Sequence, residues 1–598
     1  MAGRKKQKPE IRKLWDEDPK EIPFKKSRKR AVVLNTIIFF GFAVILLRLV
    51  DLMILSHEKL SERAEQQYIR EKVLEPQRGV IWDRQMREMA TNVEADSLYG
   101  VPSKMKDTRN LSRDLAPLVH VSSKQLNMRL LKKKRKDFIW IDRKMDMETA
   151  RDIRMLLDKL GYGALGLVPE SRRFYPKGRT ASHILGFTDI DNKGIAGIEL
   201  MYNEYLKGEV RNVSIGTDAR GNRLSSDIKD AVSGNNLLLT IDEGIQYIVE
   251  RELSNAMTEW KSKAAVAVMM DPGTGEILAM ANMPAYNPNH AGKSRDYARR
   301  NRAITDLYEP GSTLKTVLAA AALEEEVVEL DEEFDVSKGY IVVGGKAIRD
   351  VHPHEVITFQ EVIQKSSNVG AVQIGLKLGE EKYYSYLRSF GFGEKTGIDF
   401  PGEVRGILRQ IKDWSGTSLA ALSIGQEIGV TPLQLLRAYA AIANDGVLMK
   451  PYIVSDIISP QGDVVKRVAP KRERRVVSVD TAETVRDILK MVVEEGGTAQ
   501  RAYIRGNLVA GKTGTAQIFD PETGRYSRDK YVSSFVGFVP ADNPRIALIV
   551  VVYEAEGSAY GGVVAAPVFK KIIEDTFAYL DIPMERDENR IILVSKPR

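Results

Sequence analysis

The chain has 598 residues, no cysteine and a formal net charge of +8 at pH 7. This length allows several domains with large cores, while the lack of cysteine excludes disulfides, thiol catalysis and cysteine-ligated zinc. Residues 1–30 alone carry 12 Lys or Arg and 5 Asp or Glu, so the rest of the chain is close to neutral. The basic character therefore belongs to an N-terminal arm and is no argument for nucleic-acid binding.

An apolar run follows the arm from residue 31 and continues to residue 55, with Arg48 and Asp51 near its end. About 25 such residues are enough to cross the ~30 Å hydrocarbon layer, and we predict a single transmembrane helix there. A cleaved signal peptide is the alternative, but a polar segment follows the run instead of small residues. The positive arm places the N-terminus in the cytoplasm and the remaining chain on the outer, periplasmic side of the cytoplasmic membrane.

Residues 56–235 are predicted to form a non-catalytic, strand-rich pedestal. Residues 80–84 are typical of a short strand that ends in a polar turn, 100–165 alternate helical patterns, and 172–199 are irregular, with Gly and Pro between short apolar stretches. This part of the chain has no cluster of a nucleophile with a base. The six histidines show no metal-binding spacing, and we predict neither a metal nor another cofactor.

A second domain is predicted over 236–582, followed by a tail at 583–598. It opens with a strand at 237–241, a long helix, and a β-hairpin over 264–280. Helical patterns fill much of the middle, and strands return after residue 507. This order fits one sheet assembled from both ends of the domain, with helices between them. Two separate subdomains are the alternative.

The first chemical motif of this domain is Ser312-x-x-Lys315. Pro310 and Gly311 break the preceding segment, and the residues after the motif have strong helix propensity, so Ser312 is predicted in the first turn of a helix. Lys315 lies three residues on and shares its face. A helix N-terminus favours developing negative charge, so a hydroxyl beside an amine at this end suits an activated serine.

Other copies of Ser-x-x-Lys show how weak this spacing is alone; they begin at Ser56, Ser103, Ser226 and Ser527. The Ser312 copy differs because it follows a Pro-Gly break, opens an apolar helix and precedes two further polar clusters. An ordinary capping serine is the alternative interpretation, and this context disfavours it.

The second cluster is Lys365-Ser366-Ser367-Asn368, which follows the helical run from Phe359 to Gln364. The spacing of Ser366 and Asn368 suits a turn with one hydroxyl to relay a proton and one amide to hold a substrate carbonyl. Ser-x-Asn also occurs at Ser233. A helix terminus with capping side chains is the structural alternative.

The third cluster is Lys512-Thr513-Gly514-Thr515, which follows a short apolar strand. An extended segment there can present backbone N–H groups to a substrate aligned along a sheet edge, and Gly514 allows a close approach. Lys-Thr-Gly also occurs at Lys395, where surrounding glycines and a proline favour a turn.

In the order Ser-x-x-Lys, Ser-x-Asn, Lys-Thr-Gly, these motifs are typical of penicillin-binding proteins and serine β-lactamases. The chain resembles the class B penicillin-binding proteins, the bitopic transpeptidases of bacterial wall synthesis, from the membrane helix to about residue 580. Glu309 before Pro-Gly-Ser, and Ser-Ser-Asn as the second motif, make it more similar to the septal than to the elongation branch. Glu427 departs from the family pattern, in which a small residue is common.

Further stretches in both domains are similar to motifs of the same family, at 78–84, 89–90, 175–176, 183–187, 197–199, 271–276 and 431–434. The resemblance implies an α+β multidomain fold. Its transpeptidase domain has an antiparallel sheet flanked by helices, and this domain stands on an elongated, dimerisation-type pedestal.

The resemblance also implies acyl transfer at the D-alanyl-D-alanine end of a stem peptide. Ser312 would attack the carbonyl after Lys315 takes its proton, and Ser366 would pass a proton to the leaving D-alanine. Asn368 would orient the peptide, and Lys512 would supply positive potential.

Substrate binding would fall to Thr513, Gly514 and Thr515, with the two threonine hydroxyls at the terminal carboxylate. The backbone N–H groups of Ser312 and Thr515 would form the oxyanion hole. The implied partners are peptidoglycan stem peptides on lipid-linked precursor strands, β-lactams, the membrane, a polytopic glycan polymerase and other division proteins.

Several functions share these motifs. An elongation-type transpeptidase and a D,D-carboxypeptidase with water as acceptor stay open on the sequence. A β-lactamase would need an efficient deacylating base and has no use for a membrane tether. A non-catalytic division scaffold would be expected to have lost Ser312, Lys315 or Lys512, and all of these are present.

Overall fold

The computed structural model describes residues 24–60, 69–74, 76–132, 138–161, 163–209, 211–216, 233–506, 509–520 and 524–583. Most of the predicted arm and all but the first residue of the predicted tail lie outside these ranges. The chain divides into two compact units. One comprises residues up to 74 with 211–230, and the other comprises 75–210 with the residues from 231 onward.

The strands of the described ranges are numbered in chain order. They are β1 Ile69–Leu74, β2 Ile81–Trp82, β3 Glu88–Gly100, β4 Ile139–Met145, β5 Leu165–Phe174, β6 Phe187–Thr188, β7 Gly194–Ala196, β8 Arg211–Gly216, β9 Asn236–Leu239, β10 Ala264–Met270, β11 Ile277–Met283, β12 Glu333–Asp335, β13 Tyr340–Val343, β14 Lys346–Arg349, β15 Val356–Thr358, β16 Val447–Lys450, β17 Val454–Ile458, β18 Val464–Arg467, β19 Lys471–Arg475, β20 Ala510–Asp520, β21 Arg525–Val539 and β22 Ile546–Tyr553.

The α-helices of at least eight residues in the same ranges are Phe24–Val50, Thr108–Leu115, Ser123–Lys132, Met147–Leu160, Glu243–Glu259, Lys315–Glu324, Asn368–Leu378, Glu380–Ser389, Pro432–Ala443, Val479–Val493 and Ala566–Tyr579. Shorter α-helices are Ser182–Leu185, Gly197–Met201, Asn203–Leu206, Arg302–Thr305, Phe359–Gln364, Ser418–Ser423 and Gly561–Val564.

The first unit contains the predicted membrane helix. The helix Phe24–Val50 continues into a π-helical segment, Asp51–Leu55. Within the described residues, Arg28–Leu55 is the one helix long and apolar enough to cross a bilayer, and an 18-residue window within it has a mean hydropathy of 2.5. The predicted apolar helix is thereby confirmed. The unit also holds β1 and β8, which pair antiparallel with each other.

A seven-stranded sheet organises the pedestal part of the second unit. Its order is β18-β17-β9-β2-β3-β4, with β5 also paired to β3. Strands β9, β17 and β18 follow residue 235 in the chain, so the sheet continues across the predicted domain boundary. Two short helices, Ser182–Leu185 and Gly197–Met201, lie within the stretch 172–199, which is predicted to be irregular.

A buried ionic triad fastens the pedestal. The Glu199 carboxylate accepts from Arg78 Nε and Arg173 Nε, each at 2.6 Å. All three side chains are almost completely shielded from solvent. Burial alone would raise the pKa of Glu199, but the two guanidinium groups lower it below its usual value. Arg78 and Glu199 belong to the family-like stretches 78–84 and 197–199, which are therefore structural anchors.

The predicted catalytic sheet is confirmed as a single sheet. Its order is β11-β10-β22-β21-β20, and every adjacent pair is antiparallel. The β10–β11 hairpin comes from one end of the domain and β20, β21 and β22 come from the other. All of β10 is buried, as are residues 315–322 of the helix Lys315–Glu324. Strand β20 forms one edge of this sheet.

The pedestal triad predicts a large stability effect. Glu199→Gln should destabilise the full chain by about 3–5 kcal/mol, because it leaves two buried guanidinium groups without a counter-charge. Thermal unfolding of the detergent-solubilised protein would measure the change. Glu204→Gln is the matched control, since Glu204 pairs with Lys207 on an exposed surface and should leave the midpoint unchanged. An unchanged midpoint for Glu199→Gln would contradict the assigned role.

Candidate active site

The three predicted motifs line one cleft of about 590 Å³ in the second unit. Ser312, Ser366, Asn368, Thr513 and Thr515 all contribute to its wall. They come from a helical turn, the link between two further helices, and the edge strand β20. The tertiary structure therefore brings together residues that are up to about 200 positions apart in the chain.

Ser312 lies in a 3₁₀ turn, Gly311–Leu314, that leads directly into the helix Lys315–Glu324. The sequence predicted this helical start. Gly311 has φ +57°, and a Cβ there would lie 2.8 Å from the Thr515 carbonyl oxygen. A glycine is required at this position because the turn and β20 approach backbone to backbone.

Lys315 is fully buried below the cleft and is held by the second motif. Its Nζ donates to the Ser366 carbonyl and to Asn368 Oδ1, both at 2.8 Å, and lies 3.5 Å from Ser366 Oγ. Ser366 has φ +61°, a left-handed conformation that is costly for a non-glycine residue and recurs at functional sites. The amine is thus anchored on the Ser366 side, one helical turn from Ser312.

Burial controls the charge of both lysines at this site. Loss of hydration lowers the pKa of Lys315 to about 7, against the opposing effect of the Asp350 carboxylate. Lys512 is also fully buried, and burial together with the charge of Lys315 holds its pKa well below the usual value. The protein therefore disfavours simultaneous charge on the two amines.

The third motif lies on the free edge of the catalytic sheet, as predicted. Residues 512–515 belong to β20, which among the described strands of this sheet pairs with β21 alone. A Cβ on Gly514 would lie 2.8 Å from the Pro310 carbonyl oxygen, so this glycine lets β20 close against the Ser312 turn. The Thr513 hydroxyl lies 2.9 Å from Thr498 Oγ1, and Thr515 Oγ1 accepts from the Gly561 N–H.

Described copies of the competing motifs lie in other elements of the fold and have other partners. Around Lys395, the Thr396 backbone N–H and hydroxyl both donate to the Glu403 carboxylate inside a loop. Ser103 lies in a short 3₁₀ helix, Ser527 lies in β21, and Ser226 is outside the described residues.

Asp350 is a site residue that sequence reasoning missed. Its Oδ2 accepts from the Ser367 hydroxyl at 2.8 Å, and its Oδ1 accepts from the Val369 N–H at 3.0 Å and from the Asn368 N–H. The carboxylate therefore caps the helix Asn368–Leu378 from the end of the β13–β14 hairpin. A single Asp many residues before the motif carries no local signal of this contact.

Comparisons with known proteins agree with this geometry. Residues 265–574 match the penicillin binding protein transpeptidase domain, and residues 73–239 match the penicillin-binding protein dimerisation domain. Stage V sporulation protein D of Bacillus subtilis strain 168 is 36% identical over 564 residues, which cover 92% of this chain and 86% of that protein. Peptidoglycan D,D-transpeptidase FtsI of Escherichia coli strain K12 is 33% identical over 576 residues, covering 94% and 95%.

A solved structure supports the same relationship. Penicillin binding protein 3 of Mycobacterium tuberculosis, crystallised with aztreonam, superposes with a TM-score of 0.68 at 30% identity, over 86% of this chain and 98% of that one. A domain that carries the three motifs around one cleft, joined to a dimerisation domain, defines the penicillin-binding transpeptidases. The chain belongs to this family, in its class B.

The pKa of Lys315 predicts how reactivity depends on pH. The rate constant for acylation by benzylpenicillin should fall about tenfold per pH unit below about pH 7, because Lys315 in its predicted role of base accepts a proton only while its amine is unprotonated. Stopped-flow or quenched acylation measured from about pH 5 to about pH 9 tests this dependence. A flat profile through neutrality would contradict an amine with this pKa.

Asp350→Asn should have two effects. Removing the carboxylate lowers the pKa of Lys315 further, so the acidic inflection moves to lower pH. It also loosens the backbone of Asn368, so the plateau rate should fall about tenfold or more. Asp335→Asn is the control, because Asp335 is exposed and its carboxylate accepts from the backbone N–H and the hydroxyl of the nearby Ser337. An inflection that moves upward would show that the electrostatic assignment is wrong.

Proposed function

We propose that Ser312 is the nucleophile of a peptidoglycan D,D-transpeptidase, which cross-links stem peptides through an acyl-enzyme formed at D-alanyl-D-alanine. The observation that carries the proposal is the buried, near-neutral Lys315, one turn from Ser312 and hydrogen-bonded to Ser366 and Asn368. An amine with a pKa near the working pH is suited to general-base catalysis.

Acylation begins as Ser312 Oγ forms a bond to the penultimate D-alanine carbonyl carbon and passes its proton to Lys315. The proton then moves through the Ser366 hydroxyl, 3.5 Å from Lys315 Nζ, to the amine of the leaving D-alanine as the C–N bond breaks. An amine of a second stem peptide then attacks the ester carbonyl, and the C–O bond to Ser312 breaks as the new amide forms. The proton that the amine loses passes through Lys315 to the Ser312 oxygen, which becomes a hydroxyl again.

The substrate lies along the free edge of β20. Its carboxylate is held by the hydroxyls of Thr513 and Thr515 and stabilises the charged form of Lys512. Charge on Lys512 in turn favours the neutral form of Lys315, so substrate binding prepares the base. Asn368 orients the peptide on the opposite wall of the cleft.

The oxyanion is bound by the backbone N–H groups of Ser312 and Thr515. The close approach of Gly311 to the Thr515 carbonyl supports this pairing, because it sets the two backbones side by side. Each such donor contributes about 10²- to 10³-fold in other enzymes.

The apolar helix anchors the enzyme in the cytoplasmic membrane by a single pass. The positive arm lies in the cytoplasm, and the pedestal (56–235) and transpeptidase domain (236–582) lie on the outer side of the membrane.

Glu309 and the Ser-Ser-Asn motif support a role at the division septum, with a polytopic glycan polymerase and other division proteins as partners. Fluorescent fusions that stay along the lateral wall during division would contradict the septal assignment.

The nucleophile is tested by mass spectrometry of the full chain after incubation with benzylpenicillin. A long-lived adduct should map to the peptide that contains Ser312 and should be absent from Ser312→Ala, because the acyl bond forms to this hydroxyl. Ser527→Ala is the matched control, since Ser527 belongs to another Ser-x-x-Lys copy. This variant should still form the adduct on Ser312. Rapid drug turnover in place of a stable adduct would favour a β-lactamase, and no adduct on folded protein would favour a scaffold.

A further inference from the structure

Residues 308–311, which lead into the Ser312 turn, pair with a second segment, 425–430. Tyr308 and Val430 exchange backbone hydrogen bonds at 3.1 and 2.9 Å, and the Gly311 N–H donates to the Gly425 carbonyl at 3.0 Å. Gly425 has φ +79° and lies so close to Gly311 that a Cβ would clash with its backbone. The position of the turn therefore depends on the position of this segment.

The Glu309 side chain joins that segment to the catalytic sheet. Its Oε1 accepts from the Glu427 backbone N–H and from the Tyr526 hydroxyl on β21, both at 2.9 Å. Its Oε2 is buried and has no hydrogen-bond partner among the described residues. One carboxylate thus links three pieces of chain around the Ser312 turn, and half of its acceptor capacity is unused.

Glu427 is the residue that departs from the family pattern, and the structure gives it a place in this cluster. Its backbone has φ +59°, and its carboxylate accepts from the Ser418 hydroxyl at 2.7 Å and pairs with Arg409. The groups that face Glu309 are therefore Glu427 on one segment and Tyr526 on β21. Arg409 forms an ion pair with Glu427 and so balances its charge.

We propose that Glu309 is a positioning residue for the Ser312 turn, and that the Glu427–Arg409 pair sets how readily Glu309 keeps its charge. The proposal rests on Ser312 as the nucleophile. An ionised Glu309 holds the Glu427 N–H and Tyr526 in place. Gly425 then fixes Gly311, and the adjacent Gln426 remains in the wall of the cleft. Release of this link would displace the two proposed oxyanion donors, the N–H groups of Ser312 and Thr515, because Gly311, next to Ser312, lies against the backbone of Thr515.

Charge at this cluster gives the proposal a measurable signature. The pKa of Glu309 is raised above its usual value, mainly by burial and further by the charge of Glu427. The hydrogen bonds from the Glu427 N–H and the Tyr526 hydroxyl oppose this rise. A protonated carboxyl is the weaker acceptor, so acid should loosen the turn. Acylation should then show a second acidic limb below the limb that belongs to Lys315, with a slope that steepens from about one to about two.

The test compares acylation rate constants for benzylpenicillin across pH in the full chain. Glu309→Gln should acylate about ten- to a hundredfold more slowly at neutral pH and should lack the lower limb. Glu427→Gln removes a like charge and should move the lower limb to lower pH. Arg409→Gln removes the ion-pair partner of Glu427 and should move the lower limb to higher pH. The Lys315 limb should stay in place in all three variants, and Glu355→Gln, an exposed carboxylate outside the cluster, should match the parent.

Active-site titration with labelled penicillin gives the folded fraction of each variant, so the rates refer to competent protein. A lower limb that persists in Glu309→Gln would overturn the proposal even if the rate falls, because the loss would then be structural only. Shifts of the same sign in Glu427→Gln and Arg409→Gln would overturn the electrostatic part. Absence of the Ser312 adduct from the parent protein would instead overturn the proposed function, so the two failures are distinguishable.

Discussion

The desolvated amine of Lys315 is the constraint on which the rest of the site depends. A fully buried ammonium is costly, so the surrounding protein must supply oxygen acceptors at 2.8 Å, and it does so with Ser366 and Asn368. Those acceptors have to be held in turn, which explains the left-handed backbone of Ser366 and the cap that Asp350 places on the next helix. The chemistry of the cleft follows from burial and from the hydrogen bonds that burial makes necessary.

A second requirement is close contact between backbones. The Ser312 turn, the edge strand β20 and the segment around Gly425 meet without side chains between them, at Gly311, Gly514 and Gly425. Glu309 acts at the same junction from the side, through Glu427 and Tyr526. The junction is built on a sheet whose strands come from both ends of the domain, so its rigidity depends on the whole domain being folded.

Much of the site could be predicted because each motif carries its own local structure. Pro310 and Gly311 with an apolar run behind them predicted the helical start at Ser312, and the apolar segment before Lys512 predicted an extended β20. Asp350, Thr498 and Tyr526 could not be found in this way. Each reaches the site through a hydrogen bond to a distant part of the chain, and no local pattern records such a contact. The pairing of β9 with β2 and β17 across the predicted boundary near residue 235 is of the same kind.

The sequence by itself determined the apolar N-terminal helix, the order of the three motifs, the β10–β11 hairpin and the family resemblance. These depend on hydrophobic run length, helix and strand propensity and short spacings, which act between residues close in the chain. Only the tertiary structure decided which Ser-x-x-Lys and Lys-Thr-Gly copies meet, that Lys315 and Lys512 are both buried, and that Glu427 belongs to the cluster behind Ser312. Desolvation and hydrogen-bond networks are properties of the packed chain, so they exist only once segments hundreds of residues apart have come together.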